Sequence, residues 1–300
     1  NDTKFLMISK NQLGVIYMML SVISFSIMDI SVKLMSSNYP TGQLIFFRGL
    51  FGLIPILFII PKNRIKNLFR TSKITLHLVR AFGGAFAMAF LYLGLKFLPL
   101  AETITLSFAA PIFATIFSII FLNEIVRTIR WFAIFLGLTG VIIVLKPGTE
   151  LFTYYSLFPI LFCIGFATIS IAIKKLAKTE PDYLIALYFT LVLILFGIVS
   201  ILLGWKKINS QDYHYLVLIG LSGSIGNIVL TKSIREADVS LVTPVKYLSL
   251  VFAILAGWFI FEEEISFLTM SGACLIIFST FIIFKREAAK KIKSTFVRQV

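Results

Sequence analysis

Cysteine, histidine and charge are all scarce in this sequence, and each scarcity removes a class of chemistry. Only Cys163 and Cys274 occur, both inside apolar stretches and without CxxC spacing. No disulfide framework or thiolate metal site is expected, and both read as small buried side chains. The two histidines have no HExxH or other metal-ligand spacing around them, so neither a metal nor a cofactor is expected. Charged residues make up 14% of the 300, where a soluble domain carries about one quarter. Acidic side chains are the scarcest, 14 against 28 Lys and Arg. No paired carboxylates share a predicted cavity level, which removes the usual acid–base apparatus and makes an enzyme a poor reading.

What the sequence has in excess is apolar surface: 58% of residues are apolar and 31 are Phe. A soluble core could not hide that much, and apolar runs near the roughly 20 residues needed to cross a bilayer recur along the whole chain. Ten spans are expected, at 13–36, 42–60, 74–97, 101–122, 128–146, 154–176, 183–204, 213–234, 239–261 and 266–285. The polar stretch Asn1 to Gln12 precedes a long run with no small-residue cleavage pattern, so that run is expected to be a retained span and not a signal peptide. Pro55, Pro111, Pro159 and Pro244 lie within spans, which suggests bent, gate-like helices.

The net charge of +14 sits in short segments between the apolar runs and not along one amphipathic face. It therefore describes topology and argues against nucleic acid as a partner. With the N-terminus inside, twenty Lys and Arg fall on the cytoplasmic side, among them Lys62 to Lys73 and the tail from Lys285 to Arg298. The opposite side receives only Lys96, Lys146, Lys206 and Lys207. Both termini are thus expected in the cytoplasm.

A shift of 139 residues lays Pro111-Ile112-Phe113-Ala114 on Leu250-Val251-Phe252-Ala253 and Glu124 on Glu263, and a shift of 141 lays Lys33 on Lys174. The expected organisation is an all-α integral membrane protein of two five-helix repeats, 1–150 and 151–300. Five is odd, so the second repeat inserts inverted, the layout of carriers that open alternately to either side of a central site.

An ionisable residue in hydrocarbon costs about 2.5–3.5 kcal/mol even on lenient scales, so each one should face protein, water or a partner. The candidates for a substrate site are Asp29, Arg48, Arg80, Tyr92, Ser107, Asn227, Lys246 and Tyr247. Arg48 and Arg80 either snorkel to the headgroups or point into a central cavity, and Gly83 and Gly84 would let Arg80 do the latter. Lys246 and Tyr247 follow Pro244, which frees backbone carbonyls at one depth of span 9. Asp29 either faces the cavity or pairs with Lys33 one turn on. Ser107, Asn227 and Thr231 can bond across the cavity or to their own helix. Glu102 reads as a helix N-cap, Glu124 and Glu263 as span-end caps or pairs, and His77 as a satisfied structural donor. Cationic candidates outnumber acidic ones, so the solute should be anionic or zwitterionic. A channel would advertise a filter or a ring of like charges, and neither is visible.

The five-plus-five pattern, with Pro111-Ile112-Phe113 leading to Phe121-Leu122-Asn123-Glu124, resembles the drug/metabolite transporter (EamA-like) superfamily over essentially the whole chain. Phe46-Phe47-Arg48, His77-Leu78-Val79-Arg80, Ser107-Phe108-Ala109-Ala110-Pro111 and Pro244-Val245-Lys246-Tyr247-Leu248 are similar to its S-adenosylmethionine uptake carrier group. That group has Arg where this chain has Lys246, which keeps the charge but loses bidentate geometry. The resemblance implies a multi-pass secondary transporter of the bacterial inner membrane, in contact with lipid, moving S-adenosylmethionine or a related amino-acid or nucleoside-derived solute. Amino acids, organic anions and riboflavin-like vitamins are the alternatives. The direction of transport, and whether a proton or a counter-substrate is coupled, stay open.

Overall fold

The computed structural model describes residues 10–63, 71–122, 128–146, 153–176, 179–236, 245–246, 248–279 and 281–282, and every regular element among them is helical. The first half supplies α1 (Lys10–Ser36), α2 (Thr41–Ile59), α3 (Ile74–Phe97), α4 (Leu100–Ser107), α5 (Ala110–Leu122) and α6 (Thr128–Leu145). The second supplies α7 (Leu157–Leu176), α8 (Asp182–Val199), α9 (Tyr213–Glu236), α10 (Leu248–Phe261) and α11 (Phe267–Ser279). Five of these stretches, at α1, α2, α3, α8 and α9, are long and apolar enough to cross a membrane, and shorter apolar helices occupy the other five expected positions.

One span differs from expectation. Span 4 is not one helix: α4 stops at Ser107 and α5 restarts at Ala110. Pro111 has no N–H to give the Ser107 carbonyl, so the hydrogen-bond ladder fails one turn earlier. The Cys163 thiol of α7 approaches the two carbonyls at the break, Leu106 O at 3.4 Å and Ser107 O at 3.6 Å. In span 9 the described residues are Val245 and Lys246, in a 3₁₀ turn, and the α-helix from Leu248 to Phe261. Residues 237–244, Pro244 included, lie outside the described residues, as do Glu124 and Tyr247.

The helices of one half pack chiefly on those of the other. α1 runs along α9, α2 along α8 and α9, α3 along α7, and α4 against α10. Ser233 donates to Gly14 O at 2.7 Å and Ser21 to Gly226 O at 3.0 Å, which makes α1 and α9 antiparallel. α6 meets α11 where a methyl on Gly140 would lie 2.9 Å from Gly272 O and one on Gly272 would lie 2.7 Å from Gly140 O. Only glycine at both positions allows that backbone approach. Numbered as spans, the pairs are 1 with 8, 2 with 7, 3 with 6, 4 with 9 and 5 with 10. Exchanging the halves maps this set onto itself.

The largest core cluster lies between the halves and includes Met28, Phe47, Tyr92, Phe189 and Ile219. The outside is equally apolar, with Phe58, Phe132, Phe135, Trp258 and Phe267 exposed, as expected where lipid is the solvent. Cys163 is buried as expected. Cys274 is exposed, because its side of α11 faces away from the bundle while Gly272, Ala273 and Ile276 face into it.

Candidate functional site

Four expected site residues meet at the centre of the bundle. Asp29 lies on α1 about two turns before its C-terminal end. Arg48 lies on α2 about two turns after its start, Arg80 on α3 about two turns after its start, and Tyr92 further along α3. Two turns of helix are about 10 Å, so all three charged groups are well inside. Their exposures are 9%, 4% and 9%, and that of Tyr92 is 0%. Neither arginine snorkels. Asp29, Arg48 and Tyr92 are close enough to interact electrostatically, and Arg48 interacts in turn with Arg80.

The second half completes the cluster. Arg48 Nε donates to Met28 Sδ at 3.4 Å and lies on Gly223 of α9, where a methyl would come within 3.1 Å of that nitrogen. Phe189 of α8 presents its ring to both guanidiniums, with Arg80 Cζ 4.1 Å and Arg48 Cζ 5.4 Å from the ring centroid. Such contacts offset part of the cost of burying a cation, by about 2 kcal/mol when desolvated. They do not satisfy its donors. Arg80 Nε and Nη1, Asp29 Oδ1 and the Tyr92 hydroxyl have no hydrogen-bond partner among the described residues, although buried polar groups in folded proteins are almost always paired. An acceptor-seeking fork, an unpaired carboxylate oxygen and a phenol thus belong to one cluster linked through Arg48.

The remaining candidates sit differently. Ser107 donates to Thr103 O at 2.8 Å and Asn227 to Gly223 O at 3.0 Å, both within their own helices. Lys246 is half-buried, and its neighbour Val245 packs with Val15, Met18 and Leu230. No hydrogen bond, ion pair or ring contact among the described residues ties Lys246 to the central four. Tyr247 is outside the described residues. The described residues hold no group of three or more side chains able to bind a metal.

Lys33 is not a partner for Asp29. Its ammonium pairs with Glu263 at 2.7 Å and donates to Leu98 O at 2.6 Å and Leu95 O at 3.3 Å. The other Glu263 oxygen accepts from the Leu100 N–H at 2.7 Å, so the N-terminus of α4 is capped by Glu263 and not by Glu102. Glu102 instead accepts from Ser156 at 3.2 Å. One knot thus joins the ends of α1, α3, α4 and α10. At the same end Tyr39 donates to Asp212 at 2.6 Å, and Gln43 bonds the Lys206 backbone in both directions. His77 departs from expectation too. Buried beneath Tyr188, it has neither ring nitrogen hydrogen-bonded among the described residues, and the Glu180 carboxylate, 3.9 Å away, is held by Thr71.

Sequence reasoning missed Phe189, Met28 and Gly223. One Phe among 31 carries no mark, and the only signal was indirect: two buried arginines with too few acids to pair them.

Against known proteins, the EamA-like transporter family matches twice, over residues 12–146 and 153–285. The chain belongs to the EamA-like transporter family. This EamA-like transporter is a multi-pass protein of the bacterial inner membrane that moves a small molecule. It is 31% identical to the S-adenosylmethionine uptake transporter of Rickettsia bellii (strain RML369-C) over 93% of this chain and 97% of that one. It is 27% identical to the pseudopaline exporter CntI of Pseudomonas aeruginosa, covering 88% and 93%. The riboflavin transporter of Vibrio cholerae matches at 26%, covering 92% and 94%. A protein of known crystal structure shares the fold with a TM-score of 0.59 at 16% identity, over 90% of this transporter and 95% of that chain.

Proposed function

We propose that this transporter carries S-adenosylmethionine, or a closely related amino-acid-bearing solute, into the cell by alternating access. Residues 1–150 and 151–300 act as two inverted five-span repeats, ten spans in all, with both termini in the cytoplasm. The observation that carries the reading is the set of buried, unpartnered groups: Asp29 Oδ1, Arg80 Nε and Nη1, and the Tyr92 hydroxyl. A zwitterion supplies what each lacks. Its carboxylate takes the Arg80 fork, and its ammonium or sulfonium faces Asp29, with Tyr92 as a further donor. Arg48 and Lys246 add positive charge, so the empty site favours solutes that bring an anion. Tyr247, Ser107 and Asn227 stand as secondary contacts that form only when helices move.

Three observations support the mechanism. The packing pairs exchange under a swap of halves, as an in-plane two-fold axis requires. The four central groups are nine-tenths or more buried, so helices must part before a solute reaches them. The Lys33–Glu263 knot closes one end across the two halves and forms the gate on the outer side if the basic bias sets the orientation. Relatives named for S-adenosylmethionine uptake favour that solute over riboflavin. A coupling proton or counter-substrate completes the cycle.

Uptake of labelled S-adenosylmethionine into proteoliposomes tests this. Asp29→Asn and Arg80→Ala should each lower the initial rate at subsaturating substrate by about tenfold or more, the loss of one charged contact worth about 1.4 kcal/mol. Undiminished uptake in both variants would sink the site.

A further inference from the structure

We propose that Phe189 is a positioning residue that sets the transporter's preference for carboxylates, by holding Arg80 through the face of its guanidinium and leaving the N–H edge open. The inference rests on the binding role given to Arg80 above.

A buried arginine is ordinarily held by a carboxylate, which takes the N–H edge and cancels the charge. An aromatic ring does neither: it meets the flat face of the guanidinium, while the in-plane donors stay available to a planar, bidentate acceptor. Arg80 fits the second description. Its Cζ lies 4.1 Å over the Phe189 centroid, and its Nε and Nη1 have no partner among the described residues. Asp29 interacts with Arg48, and neither ion pair found among the described residues involves Arg80, so Arg80 keeps an unquenched charge. The ring is itself buried, 6% exposed, and Arg48 reaches it as well, 5.4 Å from its centroid.

Gly84 makes the stack possible. A methyl there would lie 2.6 Å from Phe189 Cε2 and 2.7 Å from Arg80 Nη1, so any side chain pushes ring and fork out of register together. α3 thus supplies the cation and the gap for the ring, and α8 supplies the ring. The ligand class this selects is a solute with a free carboxylate, against otherwise identical solutes without one.

The test uses the full chain in proteoliposomes and two probes, S-adenosylmethionine and its decarboxylated form, as competitors of labelled S-adenosylmethionine. Discrimination is the ratio of their inhibition constants. The unmutated protein should prefer the carboxylate form at least tenfold, and Arg80→Ala should abolish that preference. Phe189→Leu should cut it at least fivefold while moving the inhibition constant of the decarboxylated probe less than twofold. Phe189→Tyr should restore at least half of it, and Gly84→Ala should mimic Phe189→Leu. Phe189→Leu weakening both probes equally, or Phe189→Tyr failing to rescue, overturns the inference, because a merely structural ring would behave so. If Arg80→Ala abolishes discrimination and Phe189→Leu does not, the inference alone fails. If the unmutated protein shows no preference or no uptake, the reading of Arg80 fails and takes the inference with it.

Discussion

A guanidinium buried with two open nitrogens costs several kcal/mol that nothing in the described fold returns in full, and Arg80 is such a group. Side chains kept at that cost in a membrane bundle mark solute pathways. Arg80→Lys separates charge from shape: Lys retains the cation but not the planar fork. The half-saturation concentration for S-adenosylmethionine should rise about tenfold, roughly 1.4 kcal/mol, with the purified protein's melting temperature within a few degrees of the parent. A rise no larger than twofold would mean that no bidentate contact forms. Arg48, Arg80, Asp29 and Tyr92 were legible in the sequence because charge or phenol at membrane depth is conspicuous. Phe189 was not, since aromatic side chains are common throughout. Lys246 was legible as an expense, but no hydrogen bond, ion pair or ring contact among the described residues ties it to the central four, and hydropathy does not encode which helices meet there.

Hydropathy fixed the bounds of α1, α2 and α3 to within a few residues, because each is a long apolar run ended by polar or Pro-containing turns. It did not reveal the break at Phe108–Ala109, since the residues on both sides are as apolar as a continuous helix. The break follows from one missing N–H. Cys163→Ala removes the thiol facing the Leu106 and Ser107 carbonyls and should lower the melting temperature by a few degrees, the effect of about 1 kcal/mol. An unchanged midpoint would mean that water or the backbone already satisfies them. Glu263 was expected only as a span-end cap or pair; its partner proved to be Lys33, on a different half. Lys33→Met and Glu263→Gln should each destabilise the detergent-solubilised protein, by about 3 kcal/mol for breaking a largely buried pair. The two losses should fall well short of additive in the double variant, and additive losses would show that the pair is incidental.

For the whole molecule, two sequence regularities pointed to one arrangement: the basic residues crowd one side, and the halves match at an offset. The packing pairs supply what neither could, since which helices touch depends on side chains at glycine and serine contacts such as Gly140 with Gly272 and Ser21 with Gly226. With the N-terminus inside, cysteines placed at Lys207 and at Lys62 should react from opposite sides. A membrane-impermeant thiol reagent added to intact cells should label the first and spare the second; the reverse pattern would turn the protein over. The carrier claim itself is most directly tested by counterflow. Proteoliposomes preloaded with unlabelled S-adenosylmethionine should take up external labelled S-adenosylmethionine faster than empty ones, with a transient overshoot that Arg80→Ala removes. Uptake that is unaffected by the preload, or that is lowered by it, would contradict alternating access to a site shared by both faces.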